Sequence, residues 1–244
     1  LLVIAATLVA FGAAALPYRW QWHRVLPYLY KTYQGDIYLG PLIKGLGVTL
    51  AISAQGFVVT VMAGLLAAGL LLSQSPVGRV VARCYVELIR NTPLLVQLYL
   101  FYFVLAPIFG IGRQTTGILA LGLFEGAFAA EIIRAGILAV PRGQTEAALS
   151  LGLGRWRTNR YIILPQALRI ILPPLTSLSI NIVKHSAIVS AIAIFDLTNE
   201  GRNAIADTFM TFEIWLTVAA IYLLVTTTMS LLARQLENRL ARTT

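Results

Sequence analysis

Hydrophobic positions in this chain come in long unbroken runs, not in the alternating or 3.6-residue stripes of a water-soluble domain. A bilayer core about 30 Å thick needs roughly 20 apolar residues of helix. Six stretches approach or exceed that length: Leu1 to Leu16, Leu42 to Leu72, Val80 to Phe109, Thr116 to Val140, Ile170 to Phe195 and Phe212 to Leu232. They predict an all-α integral membrane protein whose polar connections alternate between two sides. The first run ends GAAALP, which also suits a signal-peptide core with a small-residue cleavage site. The aromatic segment after it favours a spanning helix, and the chain is expected to continue upstream of Leu1.

Composition agrees with the pattern: 58% of the 244 residues are hydrophobic and only 12% are charged. The net charge of +9 invites a nucleic-acid reading, but sorting the charges by side removes it. One side collects Arg79, Arg83, Arg134, Arg142, Arg155, Arg157, Arg160, Arg169, Arg234, Arg239 and Arg242 against only Glu146 and Glu237. The other carries Arg19, Arg24, Lys31, Lys44, Arg113 and Arg202 against Asp36, Asp196, Glu200, Asp207 and Glu213, and is almost neutral. Cytoplasmic loops of membrane proteins hold the excess of Lys and Arg. That rule puts the arginine-rich side and the C-terminus in the cytoplasm, and it needs no nucleic acid. The stretch from Pro17 to Pro41, rich in Trp and Tyr, then lies on the outer surface at headgroup level.

Chemistry is scarce. Cys84 is the lone cysteine, His23 and His185 are far apart, and no phosphate-binding loop, zinc-protease or nucleophile-elbow pattern occurs. His185 and Ser186 point about 100° apart on a helix, so they do not form a base and nucleophile. A membrane enzyme is therefore disfavoured. What the helices do carry is intramembrane charge, which is costly and needs partners or a wet cavity. Glu87, Arg90, Asn91 and Gln97 surround Pro93, which removes the hydrogen bond to the Ile89 carbonyl and predicts a kink with a polar group nearby. Glu87 with Arg90 and Glu131 with Arg134 are spaced i,i+3 and can neutralise each other; Glu125 and Lys184 have no such neighbour. Ser177, Asn181, Lys184, His185 and Ile188 share one helical face, a stripe expected to line a pathway. Gly64 and Ala68, four apart, suit close helix packing.

The stretch GQTEAALSLGLGRWRTNRYIILPQ interrupts the apolar pattern on the cytoplasmic side. Its Ala-rich start favours a short helix, its glycines a sharp turn, and Pro165 limits where the next helix begins. The spacing of Glu146, Ala147, Ala148, Gly152, Ile162, Leu164 and Pro165 resembles the signature loop of the membrane subunits of ATP-binding-cassette importers. From about Leu42 to Leu236, the segments IRNTPLLVQLY, AAEIIRAGILAVPRGQTEAALSLGL and LPQALRIILPPL look like the histidine/glutamine-type permeases for polar amino acids.

That resemblance implies a type I importer-like domain of five core helices, here at residues 42–236, with a coupling loop at about 140–166. Residues 1–41 would add an N-terminal helix and an outer aromatic segment, and residues 237–244 a cytoplasmic tail. It further implies an identical or homologous second permease, two ATPase subunits and an extracytoplasmic amino-acid-binding protein, in a bacterial inner membrane. ATP and Mg would sit on the partner ATPase, with no cofactor on this chain. Glu146, Ala147, Ala148, Gly152, Leu164 and Pro165 would form the ATPase contact. Glu87, Arg90, Asn91, Glu125, Asn181, Lys184, His185 and Ser186 are the candidate substrate-pathway residues. The chain departs from that family's usual pattern at His185, where an acid is common, at Glu125, where a small or hydroxyl residue is usual, and at Asn91, where Gly is frequent. A basic-amino-acid preference therefore does not carry over, and the tilt is to neutral or acidic substrates. The competing class is an ion-coupled secondary carrier, which also places ionisable groups at mid-membrane but predicts internal repeats that this sequence lacks.

Overall fold

A computed structural model describes residues 18–242, so the first apolar run lies outside the described residues. Helix α1 (Pro41–Leu72) begins with Pro in its first turn, where the missing N–H costs nothing. A Ser-rich turn leads to α2 (Pro76–Arg90), capped by the Ser75 hydroxyl, which accepts from the Gly78 amide at 3.2 Å. After a break come α3 (Leu94–Phe109), α4 (Arg113–Leu138) and the short α5 (Arg142–Ser150). Then follow α6 (Leu164–His185), α7 (Leu197–Thr208) and α8 (Thr211–Arg242). Four described helical segments are long and apolar enough to cross a membrane, and α2 with α3 supplies a fifth as a bent pair. The protein is thus a multi-pass, all-α membrane protein with the expected five core segments.

Two expectations change. The third apolar run is not one kinked helix: α2 and α3 meet at 108°. Such a bend leaves carbonyls exposed, and side chains satisfy them. Gln97 Nε2 donates to the Ile89 carbonyl at 2.8 Å, the acceptor that Pro93 orphans, and Thr92 Oγ1 donates to the Leu88 carbonyl at 2.8 Å. The fifth run also begins earlier than Ile170, because helical structure is continuous from Arg155 to Ile192 through a π turn at Asn159–Ile163 and a 3₁₀ turn at Ser186–Ile192.

The centre of the bundle is the α1–α4 contact, where small residues let two backbones approach. A Cβ at Gly64 would lie 2.6 Å from that of Ala129, so only glycine fits. Ala68 is buried beside Ile133 and Ile171. Between the two helices Thr60 Oγ1 donates to the Gly122 carbonyl at 3.2 Å.

The end of the bundle that carries the aromatic segment has structure that periodicity did not indicate. Strands β1 (Tyr30–Tyr33) and β2 (Asp36–Leu39) form an antiparallel hairpin. The aromatic segment before it is pinned to the start of α8, where the wholly buried Glu213 carboxylate accepts from the Tyr18 hydroxyl and, at 2.6 Å, from the Gln21 amide. Helix α7, unexpected from the sequence, starts on a buried Asp196 cap whose Oδ1 accepts from the Asn199 amide at 2.9 Å.

Asp196 makes this outer end sensitive to pH. Its second oxygen is buried without a hydrogen-bond partner, and burial pushes its carboxyl up to about 6, against the backbone hydrogen bonds that lower it. A raised folded-state value means the folded chain holds the proton more tightly than the unfolded one. The resulting stability is fully present below about pH 4 and lost by about pH 6, roughly 3 kcal/mol in all. Asp196→Asn keeps a good cap and cannot ionise. In thermal melts of the purified protein it is expected to unfold at higher temperature than wild type at pH 7.5, with the two converging towards pH 4.

Candidate functional site

A cavity of about 460 Å³ opens between α4, α6 and the α2–α3 break. Helix α4 contributes Glu125, Phe128, Glu131 and Ile132, spaced along one face by the helical repeat. Helix α6 contributes Pro174, Ser177, Leu178, Asn181 and His185 in the same way, and Arg90 enters from the end of α2.

The charges in this cavity are arranged in a definite order. Glu125 is 2% exposed and its carboxylate bonds His185 Nδ1, while the half-exposed imidazole meets the cavity and packs edge-on against Phe124. A buried carboxylate is tolerated only with such a partner. Arg134 binds Glu131 at 2.8 Å. Arg90 has no carboxylate within ion-pair distance among the described residues, and its guanidinium lies over the Phe128 ring, 5.5 Å from the centroid.

Of the residues named from the sequence, the structure brings Arg90, Glu125, Asn181 and His185 to this cavity. Lys184 and Ser186 do not line it. Lys184 projects from the exposed side of α6, because adjacent helix residues diverge, and Ser186 is fully buried and donates to the Val183 carbonyl at 2.8 Å. Asn91 turns back on its own helix, donating from Nδ2 to the carbonyl of Glu87 at 2.8 Å and to its carboxylate at 3.0 Å. The i,i+3 pairing expected for Glu87 with Arg90 is absent among the described residues, whereas that for Glu131 with Arg134 forms. Phe128 and Pro174 were overlooked, since an aromatic residue or a proline on an apolar helix gives no sign of facing a cavity.

The interrupting loop folds into a compact knob. Helix α5 ends in a Schellman motif, with the Leu153 amide on the Ala148 carbonyl at 3.1 Å and the Gly152 amide on the Leu149 carbonyl at 3.0 Å. Gly152 sits at φ +77°, the left-handed region that glycine adopts without strain. Val140, Ile163 and Ala167 seat the knob on the ends of α1 and α4. Ala148 is buried, while Glu146 and Ala147 are exposed, and the Glu146 carboxylate has no partner among the described residues. Leu164 and Pro165 are exposed at the start of α6. Around them Leu151, Trp156 and Tyr161 also face outward, an apolar surface on an otherwise basic loop.

Residues 60–242 match a family described as the binding-protein-dependent transport system inner membrane component. The glutamine transport system permease protein GlnP of Escherichia coli K12 is 39% identical over 202 residues, covering 82% of this chain and 92% of the relative. A probable glutamine ABC transporter permease, GlnM of Bacillus subtilis, is 42% identical over 161 residues, covering 65% of this chain and 74% of the relative. Among solved structures, an amino acid ABC transporter crystallised with histidines superposes with a TM-score of 0.77 at 42% identity, covering 82% of this chain and 94% of that one.

Proposed function

Because the chain belongs to the binding-protein-dependent transport system inner membrane components, as an amino-acid permease of an ATP-binding-cassette importer, we propose that it moves a polar amino acid inward by alternating access. Permeases of this family work with an ATPase and a substrate-binding protein, and the ion-coupled carrier reading gives way to that membership. Two copies of this chain, or this chain and a homologue, would enclose the route, with two ATPase subunits on the cytoplasmic side. The C-terminus lies on that side too. ATP and Mg stay on the ATPase, since this sequence carries no phosphate-binding loop.

The observation that carries the substrate reading is the allocation of charge around the cavity. Both acids that line it already hold internal partners, Glu125 with His185 and Glu131 with Arg134, while Arg90 is uncommitted. An amino acid brings a carboxylate that suits Arg90, and its ammonium is met by the part-exposed Glu131. Ser177 and Asn181 hydrogen-bond a neutral polar side chain. With Glu131 facing the ammonium and Glu125 held by His185, a cationic side chain would find no further acid in the cavity, so neutral amino acids such as amides are favoured over basic ones.

Coupling runs through the knob. Closure of the ATPase pair displaces α5 as a rigid unit, and the continuous helix from Arg155 to Ile192 carries that displacement to the cavity wall at Pro174 and His185. The test is reconstitution with the ATPase and binding protein and measurement of ATP-dependent uptake for glutamine, glutamate, histidine and arginine. Uptake of the amide at ten or more times the rate of arginine is expected, about 1.4 kcal/mol of discrimination. Uptake that persists without ATP, or a preference for arginine, would overturn the reading.

A further inference from the structure

Two more cavities adjoin the one described, and wall residues shared from each to the next set the three in a row. A cavity of about 340 Å³, lined by Arg83, Glu87, Arg90, Glu131 and Arg134 among others, shares Arg90 and Glu131 with the first. A groove of about 280 Å³ at Pro76, Arg79, Val80 and Arg83 shares Arg83 with the second. We propose that these spaces form a positively charged exit vestibule, through which the α-carboxylate of the transported amino acid passes from Arg90 by way of Arg83 to Arg79. This rests on the import reading above and adds to it a route and a second carboxylate-binding subsite.

The helix that builds the vestibule has three faces. Ala82 and Val86 are buried against the bundle, and Val77, Val81 and Leu88 form an exposed apolar flank. Arg79, Arg83, Glu87 and Arg90, at i, i+4, i+8 and i+11, fall within an arc of about 80° on the third face. Because α2 turns 108° from α3 beside Arg90, this polar stripe starts at the substrate cavity and ends at the arginine-rich side of the protein.

The charges along it leave a positive excess. Glu131 is held by Arg134 at 2.8 Å, and Glu87, whose carboxylate accepts from the neutral Asn91 amide at 3.0 Å, is the one acid on the stripe against three arginines. No carboxylate lies within ion-pair distance of Arg79, Arg83 or Arg90 among the described residues. A narrow passage with low-dielectric walls and an excess of positive charge concentrates anions. It also offers a released carboxylate successive partners instead of one deep well, as a pathway needs for fast exit.

Leu71 lines the middle cavity and is uncharged, so Leu71→Cys in a Cys84→Ser background reports on it with little effect on the field. The complete transporter is reconstituted and labelled from the ATPase side with anionic and cationic methanethiosulfonates, each corrected for its rate with a free thiol. The anionic reagent is expected to react about tenfold faster. Adding Arg83→Gln should bring the ratio towards one and slow ATP-driven uptake, and excess substrate should slow labelling. No labelling, or labelling without charge preference in a transporter that still takes up amino acid, overturns the vestibule and leaves the arginines to topology alone. Anionic preference in a parent transporter that imports no amino acid supports the charged passage and overturns the import reading instead.

Discussion

Glu146→Lys is expected to leave the permease folded and inserted while removing most ATP-driven uptake. The side chain is exposed on α5 and partnerless among the described residues, so its replacement breaks nothing within the chain. The fold gives an exposed acid on a short helix amid Arg142, Arg155, Arg157 and Arg160 only one evident use, a contact outside this subunit. Reversing charge at a matched interface costs on the order of 2 kcal/mol or more. That is roughly a 30-fold loss of docked ATPase. Copurification of the ATPase with the variant and uptake in proteoliposomes measure the two halves of this expectation. Retained uptake would show that the knob is not the handle.

The second large effect is expected where the buried Glu125 meets His185. Glu125→Ala leaves His185 facing the cavity without the carboxylate that orients it, and opens a space beside Phe124. Losing this hydrogen bond and the packing of a buried side chain costs on the order of 2 kcal/mol, so both stability and uptake should fall. Glu125→Gln keeps the shape and one hydrogen bond, and should retain the fold while weakening uptake less. Melting temperature and initial uptake rate for the two variants separate these contributions. A Glu125→Ala protein as stable and as active as wild type would reduce the pair to an incidental contact.

Much of this architecture was legible because lipid imposes a length on helices. The apolar runs marked α1 and α4 to within a few residues, and the start of α8, whose helix continues ten residues past its run. The break between α2 and α3 was legible only in part. Pro93 signalled a missing hydrogen bond, yet the size of the bend depends on Gln97 and Thr92 capping carbonyls across the gap, which spacing alone does not reveal. Helix α7 and the outer hairpin escaped notice because polar, short elements leave no apolar run; the signal present was Asp196 three residues before Asn199, an N-cap pattern. At the cavity, residue types pointed to the right helices but not to the pairing. Glu125 and His185 lie sixty positions apart in the chain, and no spacing rule links them. In space they are one feature, shared between α4 and α6. The helical stripe through Asn181 and His185 also took in Lys184, whose azimuth only the packing of α6 could decide.

The tether at Glu213 has a mechanical consequence. Tyr18 and Gln21 grip the first turn of α8, and Tyr28 and Leu29 pack on the cluster of Leu42, Met210 and Ile214 between α1 and α8. The hairpin is therefore bolted to the frame of the bundle at its rim and not to the helix that runs from the knob to the cavity. In the proposed transport cycle, in which α6 shifts, the hairpin should keep its orientation relative to α1 and α8. It is a fixed bearing on the outer surface, and a fluorophore placed on it would serve as the stationary reference against which the moving parts are measured.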